Sequence, residues 1–200
     1  GMIEALTSLV DARDHATGRH TEEIRQLMQD VALAMGCEIE DARLIGMAGS
    51  LRDVGKVAIP DSILCKPAPL TSDEWEIIQT HAIVGAEVVE RIPSLCPLVP
   101  IIRSHHERWD GSGYPDRLAG QAIPLGGRIA AVVDAFVAMT ERRPYRPALS
   151  HAEAFAELSK CAGTQFDPDV VIAFTQVVGD RAPHAEAGIS TEMLKLAVAA

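Results

Sequence analysis

The spacing of apolar residues is the feature that most constrains this fold, because it follows a helical period through most of the chain. In TEEIRQLMQDVALAMG, residues 21–36, five apolar side chains share one helical face: Ile24, Leu27, Met28, Val31 and Met35. Gly36 then acts as a stop signal. No segment alternates apolar and polar residues as a strand does. The sequence therefore predicts an all-α helical bundle.

Capping signals divide this pattern into separate helices. Three helix starts are predicted by the pairs Thr71–Glu74, Ser150–Glu153 and Asp167–Pro168. We expect helices over residues 21–36, 38–51, 71–92, 98–109, 128–141, 150–163 and 167–179, with a turn-rich loop over 113–127. Residues 128–141 are apolar on most faces and predict a central buried helix. The expected organisation is one domain over 1–180, with a linker and final helix over 181–200 packed on it.

The charge distribution limits the class of ligand. The formal net charge is −10, which disfavours nucleic acid polymers and anionic membranes as partners. Residues 101–146 nevertheless hold 7 basic and 5 acidic residues. This local excess suits a small anionic ligand, although a chance cluster of surface arginines would give the same count.

The sequence also predicts a cytoplasmic protein. No apolar run is long enough to span a membrane, and no signal peptide is visible at the N-terminus. The opening Gly1-Met2 suggests that the native protein extends further upstream. Four scattered cysteines predict reduced core thiols, although the sequence is also compatible with a disulfide: Cys37, Cys65, Cys96 and Cys161.

Six residues could carry chemistry together: His20, Asp53, His81, His105, His106 and Asp134. A single histidine on an apolar face is more often a core residue than a ligand. A buried carboxylate such as Asp134, within AAVVDAFVA, costs several kcal/mol unless it is paired or binds metal. Histidine with carboxylate suits Fe, Mn, Zn or Co, and two ions about 3.5–4 Å apart would clamp a phosphodiester during displacement. From these residues alone, the metal-binding and core interpretations both remain open.

Six stretches of the chain, in order, resemble the HD-GYP domain family, the cyclic di-GMP phosphodiesterase branch of the HD superfamily. They are TGRH (17–20), RDVGKVAIPDSILCKP (52–67), THAIVG (80–85), HHERWDGSGYPDRLAGQAIPLGGRI (105–129), VVDAFVAMTERRPYR (132–146) and GTQFDPDVV (163–171). The resemblance covers nearly the whole chain. It implies an all-α bundle around a metal centre.

The resemblance also implies a role for each matching residue. The implied metal ligands are His20, Asp53, His81, His105, His106 and Asp134, with Asp53 bridging two ions and contributing to catalysis. Lys56 would face the scissile phosphate, and Tyr114, Arg143 and Arg146 would bind substrate. The loop Gly113-Tyr114-Pro115 would lie beside the substrate or at a partner surface. Adjacent helical residues diverge by about 100°, so His105 and His106 are expected to approach the site from different sides.

The chain departs from the family pattern at Arg52, where the family has the histidine of its His-Asp pair. Arginine is always protonated and has no lone pair for a metal. A divalent ion about 4 Å from its guanidinium would meet roughly 8 kcal/mol of repulsion at an effective dielectric near 20. Arg52 therefore either swings away or occupies the first metal site itself, paired with Asp53 or Asp134.

The expected metal content follows from this change. One strongly bound ion is expected at Asp53, His81, His105 and His106. Iron or manganese is favoured, with zinc, nickel or cobalt as alternatives. A third metal is disfavoured because Ala16 replaces the glutamate that binds it in some family members. His15 and Asp14 are alternative improvised ligands, or else surface residues.

Three functions remain to be distinguished. The first is hydrolysis of cyclic di-GMP to pGpG or GMP by metal-activated water, with an impaired metal centre. The second is a degenerate domain that binds cyclic di-GMP or a GGDEF-domain protein without turnover. The third is an HD phosphohydrolase for another nucleotide, which the Gly-Tyr-Pro loop argues against. An upstream sensory or receiver domain is compatible with the first two functions.

Overall fold

The computed structural model describes residues 20–141 and 147–181, without the side chain of His20. These ranges form eight α-helices: α1 (His20–Ala34), α2 (Ile39–Leu51), α3 (Asp61–Leu64), α4 (Ser72–Glu90), α5 (Val99–Ser104), α6 (Leu125–Thr140), α7 (His151–Lys160) and α8 (Pro168–Arg181). Three 3-10 segments connect them: Val54–Ala58, Pro93–Leu98 and Gly120–Ala122. No strand occurs in the described ranges, and the all-α prediction is confirmed. The predicted segment after Arg181 lies outside these ranges.

Helix α6 lies at the centre of the bundle, as its apolar sequence predicts. It packs against α1 and α5 and against both C-terminal helices, α7 and α8. Its buried side chains include Ile129, Val133 and Phe136, and Phe136 also contacts the Phe174 ring of α8 edge to face. Asp134 therefore lies on the most enclosed helix of the fold, while its side chain remains 30% exposed.

Local capping forms where the sequence predicts it. The Thr71 hydroxyl accepts a hydrogen bond from the Glu74 backbone N–H, and the Glu74 carboxylate accepts one from the Thr71 N–H. The same reciprocal pair starts α7. At α8 the Asp167 carboxylate accepts from the N–H of Asp169, two residues along. These caps define the first turns of α4, α7 and α8.

The predicted helix over 98–109 is shorter than expected, because α5 ends at Ser104. The following backbone is held by a distant segment instead. The N–H of Trp109 donates to the Gln165 carbonyl at 3.1 Å, and the N–H of Asp110 donates to the Thr164 carbonyl at 2.8 Å. These bonds divert the chain from the helical path. His105 and His106 consequently lie just after α5, not within it.

The expectation of core cysteines is wrong for two of the four. All four are free thiols, but Cys65 and Cys96 are exposed, whereas Cys37 and Cys161 are half-buried. Cys65 follows the four-residue helix α3, and Cys96 lies in a 3-10 segment. Cys96 faces solvent although its neighbours in that segment, Leu95 and Leu98, are buried. Among the described residues, no helix combines the length and apolarity that crossing a membrane requires.

Candidate metal centre

Helix α4 and the end of α5 bring three histidine rings together. The His81 ring centroid lies 5.2 Å from that of His105 and 5.0 Å from that of His106. The nitrogens that these three residues can offer to a metal all lie within 4.8 Å of one another. His105 and His106 have ring centroids 4.0 Å apart. The expectation that they approach from different sides is wrong, because the helix ends before them and their rings lie side by side.

The hydrogen bonds of two of these rings define which nitrogen is available. Nδ1 of His81 lies 2.7 Å from the Ile78 carbonyl, and Nδ1 of His105 lies 2.6 Å from the Ile102 carbonyl. A carbonyl only accepts, so each Nδ1 carries the proton. Each Nε2 is then left with a lone pair in the neutral ring, and this pattern is typical of metal-binding histidines.

The distance between the two free nitrogens fits a shared ion. Nε2 of His81 lies 3.2 Å from Nε2 of His105. With metal–nitrogen bonds of about 2.0–2.1 Å, two ligands of one ion lie about 2.9–3.4 Å apart. Two facing lone pairs repel each other unless a proton or a cation lies between them. The donor set of the site therefore fits a transition metal ion.

Burial keeps the histidines in the form that binds metal. It lowers the pKa of His105 to about 3, and it also lowers the pKa of His81. For His106, burial and the neighbouring histidines hold the pKa well below its usual value. Neutral imidazole is the metal ligand, so these side chains need not lose a proton near neutral pH to bind an ion.

Asp53, which directly precedes the 3-10 segment Val54–Ala58, faces the histidine cluster. Its Oδ1 lies 3.8 Å from Nε2 of His81 and 3.1 Å from Nζ of Lys56. Burial alone would raise the pKa of Asp53, but the charges of Arg52 and Lys56 hold it well below the usual range. The carboxylate is therefore ionised and available as an oxygen ligand.

A close backbone approach fixes this arrangement. A Cβ on Gly55 would lie 1.9 Å from the His81 carbonyl oxygen and 2.5 Å from the Gly85 nitrogen. Only glycine lets the 3-10 segment contact α4 at this point. The contact brings Asp53 and Lys56 beside His81.

Arg52 connects the two aspartates of the site. Its Nε and Nη2 lie 2.8 and 2.7 Å from Oδ1 of Asp134, and Nη2 lies 3.1 Å from Oδ2 of Asp53. Nη1 donates to the Gly49 carbonyl at 2.8 Å. Only 7% of the residue is exposed. Of the two orientations considered for Arg52, the structure has the one directed into the site.

The Gly-Tyr-Pro loop lies against the histidines. The Tyr114 ring stacks on His106 with centroids 4.9 Å apart, and the Tyr114 N–H donates to the His106 carbonyl at 3.2 Å. Burial raises the pKa of Tyr114, so its phenol stays protonated and can donate a hydrogen bond. A Cβ on Gly113 would lie 2.3 Å from the Arg108 nitrogen, and the Tyr114-Pro115 peptide bond is cis.

Glu107 anchors this loop, although no sequence motif assigns it a role. Its carboxylate is almost fully buried and accepts the backbone N–H groups of Asp116 at 2.7 Å and Leu118 at 3.1 Å. Arg103 closes the same loop through two bonds of 2.6 and 2.7 Å to Asp116. The one sequence feature that points to this anchor is the position of Glu107, a charged residue directly after the adjacent histidines His105 and His106.

The structure thus brings together five of the six predicted ligands: Asp53, His81, His105 and His106 around one point, and Asp134 beyond Arg52. The side chain of His20 and the residues Asp14, His15, Ala16, Arg143 and Arg146 lie outside the described part of the chain. Their predicted roles stay predictions. A pocket of about 210 Å³ opens beside His106 and Asp134.

Comparison with known proteins identifies relatives of this arrangement. Residues 4–170 match the HD domain family. A cyclic di-GMP phosphodiesterase of Thermotoga maritima is 42% identical over 178 residues, which cover 88% of this chain and 48% of that protein. A 3'3'-cGAMP-specific phosphodiesterase 2 of Vibrio cholerae is 40% identical over 172 residues, covering 85% of this chain and 33% of that protein. The chain thus spans half or less of the length of these curated relatives.

Among solved structures, the fold matches a cyclic GMP-AMP phosphodiesterase of V. cholerae, V-cGAP3. The TM-score is 0.70 at 21% identity, and the match covers 98% of this chain and 52% of the other. At this identity the match supports the all-α fold alone.

Proposed function

Since the chain belongs to the HD domain family, and within it to the HD-GYP branch, we propose that it is a cyclic di-GMP phosphodiesterase-type signalling domain with an impaired metal centre. The observation that carries this proposal is the buried histidine cluster, with ionised Asp53 beside it and an open pocket adjoining it. The reaction is hydrolysis of a phosphodiester of the cyclic dinucleotide to pGpG or GMP. The domain acts in the cytoplasm, and its four free thiols are consistent with that location.

His81, His105, His106 and Asp53 would hold one divalent transition metal ion, with iron or manganese favoured. When bound, the ion would supply Lewis-acid activation of water and of the phosphodiester. Asp53 contributes negative charge to this site, and Lys56 offers a cation to the scissile phosphate. The Tyr114 phenol donates a hydrogen bond to the substrate. Arg143 and Arg146 contact its phosphates, because guanidinium groups bind phosphate through paired hydrogen bonds.

The impairment rests on Arg52. Its guanidinium lies between Asp53 and Asp134, where it contributes a fixed positive charge and no lone pair. A second ion near Asp134 would meet this cation, and Asp134 already pairs with it. We therefore expect one metal per chain and slow turnover.

A second function is favoured by the same contacts. With Asp134 paired to Arg52, the domain would bind cyclic di-GMP, or a GGDEF-domain partner, without hydrolysing the nucleotide. Binding requires the positive groups and the pocket, whereas turnover requires the complete metal centre. The two functions therefore differ in turnover and not in ligand.

One experiment separates these functions. The purified protein, loaded with iron or manganese, is assayed for metal content, for cyclic di-GMP hydrolysis and for cyclic di-GMP affinity. One bound metal with slow hydrolysis supports the phosphodiesterase, and affinity without hydrolysis supports the binding domain. A His81→Ala variant serves as the metal-site control and should lose metal. A protein that neither binds nor hydrolyses the nucleotide would refute both proposals.

A further inference from the structure

The pocket beside the histidine cluster has two chemically different parts. His106 and Asp134 line the part next to the candidate metal centre. Helix α6 contributes three alanines to the pocket, and they lie on the same helical face as Asp134: Ala131, Ala135 and Ala138. Methyl groups at this spacing form a smooth apolar surface with little bulk, which a planar ring can contact but which offers a phosphate no hydrogen bond.

The rest of the pocket wall is polar and includes Arg108 and Gln165. Arg108 is held by Asp110, through Nε at 3.3 Å and Nη2 at 3.1 Å, and by the Ser112 hydroxyl at 2.8 Å from Nε. Nη1 of Arg108 makes no hydrogen bond within the described part of the chain, and neither does the side-chain amide of Gln165. The pocket thus offers a guanidinium in a fixed orientation, together with an amide that can donate and accept.

We propose that this pocket binds one nucleobase of the cyclic dinucleotide, and that Arg108 selects guanine over adenine, while the Gln165 amide can bond to either base. This inference rests on the proposed function and specifies its substrate. Guanine presents two acceptors, O6 and N7, and the donor pair that remains on Arg108 for them is Nη1 together with the second N–H of Nη2. Adenine presents a donor, N6, beside N7, and arginine has no acceptor to meet it.

The position of the pocket agrees with this role. A nucleotide whose phosphate lies at the candidate metal centre has its base one sugar away, and the pocket begins at His106 and Asp134. The face of the base would lie on the alanines of α6, and its edge would meet Arg108 and Gln165. Discrimination between guanine and adenine would therefore depend on side chains that do not bind the metal.

The test measures affinities of the EDTA-treated full chain for cyclic di-GMP and cyclic di-AMP by calorimetry, in wild type, Arg108→Met and Gln165→Leu. Loss of a paired arginine–guanine contact should weaken cyclic di-GMP binding by about 5- to 150-fold. Affinity for cyclic di-AMP should stay unchanged in Arg108→Met, whereas Gln165→Leu should weaken both ligands. Arg43→Met is the matched control, because Arg43 lies on the exposed face of α2, where it pairs with Glu40. Unfolding midpoints identify any variant that has lost its fold.

Ala135→Leu tests the pocket itself, because the larger side chain would occupy the space of the base and should weaken both ligands. Ala152→Leu, on the exposed side of α7, is its control. Equal losses for both nucleotides in Arg108→Met would indicate a phosphate contact and overturn the inference, as would unchanged affinity in all three pocket variants. If wild type binds neither dinucleotide, the proposed function fails as well.

Discussion

Arg52 forms an ion pair with Asp134, a residue 82 positions further along the chain, with Nε 2.8 Å from Oδ1. The same guanidinium also pairs with Asp53. The two acidic residues that the family resemblance assigns to metal are thereby joined by a side chain that cannot ligate one. The predictions on metal content and stability follow from this contact.

Replacing Arg52 with histidine should raise metal content. The change removes a fixed cation and supplies a neutral imidazole next to two carboxylates. We expect Arg52→His to bind a second equivalent of iron or manganese and to hydrolyse cyclic di-GMP faster than wild type. Elemental analysis and product assay of both forms provide the measurement.

Arg52→Met is the matched control for that prediction, because it removes the cation without adding a ligand. It should not show the gain in activity. A wild-type protein that already holds two metals with full activity would show that Arg52 impairs neither metal binding nor hydrolysis. A histidine variant that takes up the second ion but stays inactive would favour the non-hydrolytic binding function.

Stability should depend on Arg52 in the metal-free protein. Arg52→Met leaves Asp53 and Asp134 without their shared partner, and an unsatisfied buried group costs about 1–3 kcal/mol. The lower half of that range is expected, since Asp134 is 30% exposed. Urea unfolding in EDTA measures the loss. The double variant Arg52→Met/Asp134→Leu should recover part of it, and a double variant less stable than the single one would contradict this account.

The histidine cluster predicts a pH dependence of stability. The pKa values of His81, His105 and His106 are lowered in the folded protein, so below about pH 6.5 the unfolded chain binds more protons. The free energy of unfolding should therefore be highest above about pH 6.5 and fall as the pH falls, for His105 down to about pH 3.

Urea unfolding of the metal-free protein between neutral and acidic pH measures this slope. His105→Gln should reduce this slope, because the variant lacks a group that binds a proton more readily in the unfolded chain than in the folded protein. A slope that His105→Gln does not alter would assign the acid sensitivity to other groups.

Gly55→Ala should disturb the site through the backbone. The added methyl would lie 1.9 Å from the His81 carbonyl oxygen, so the segment carrying Asp53 and Lys56 must move away from α4. We expect lower stability and weaker metal binding. Gly179→Ala is the matched control, since a Cβ there meets nothing within 4 Å and α8 should gain roughly 0.5–1 kcal/mol. Equal metal affinity in Gly55→Ala and wild type would refute the role of this contact.

Arg146 should contribute to ligand binding whether or not turnover occurs. A charge-assisted hydrogen bond is worth about 1.5–3 kcal/mol, so Arg146→Ala should weaken cyclic di-GMP binding by roughly 10- to 150-fold. Calorimetry on the metal-free protein measures this loss, with Arg43→Ala as the control. Equal affinity in Arg146→Ala and wild type would show that residues other than Arg146 bind the phosphates.

The sequence by itself determined the features that depend on neighbouring residues. The capping boxes at Thr71 and Ser150 form as predicted because their hydrogen bonds join residues three positions apart. The apolar face of α1 is buried for a similar reason, since helical geometry alone aligns its side chains. The family resemblance likewise depends on motifs that can be read along the chain.

Tertiary structure decided what depends on residues distant in sequence. The early end of α5 depends on bonds from Trp109 and Asp110 to residues 164–165, and the loop anchor depends on Glu107. The orientation of Arg52 was open in the sequence because its side chain could reach either solvent or Asp134. The choice is made by the packing of α2 against α6, which brings a buried cation to a carboxylate that no neighbour in sequence could neutralise.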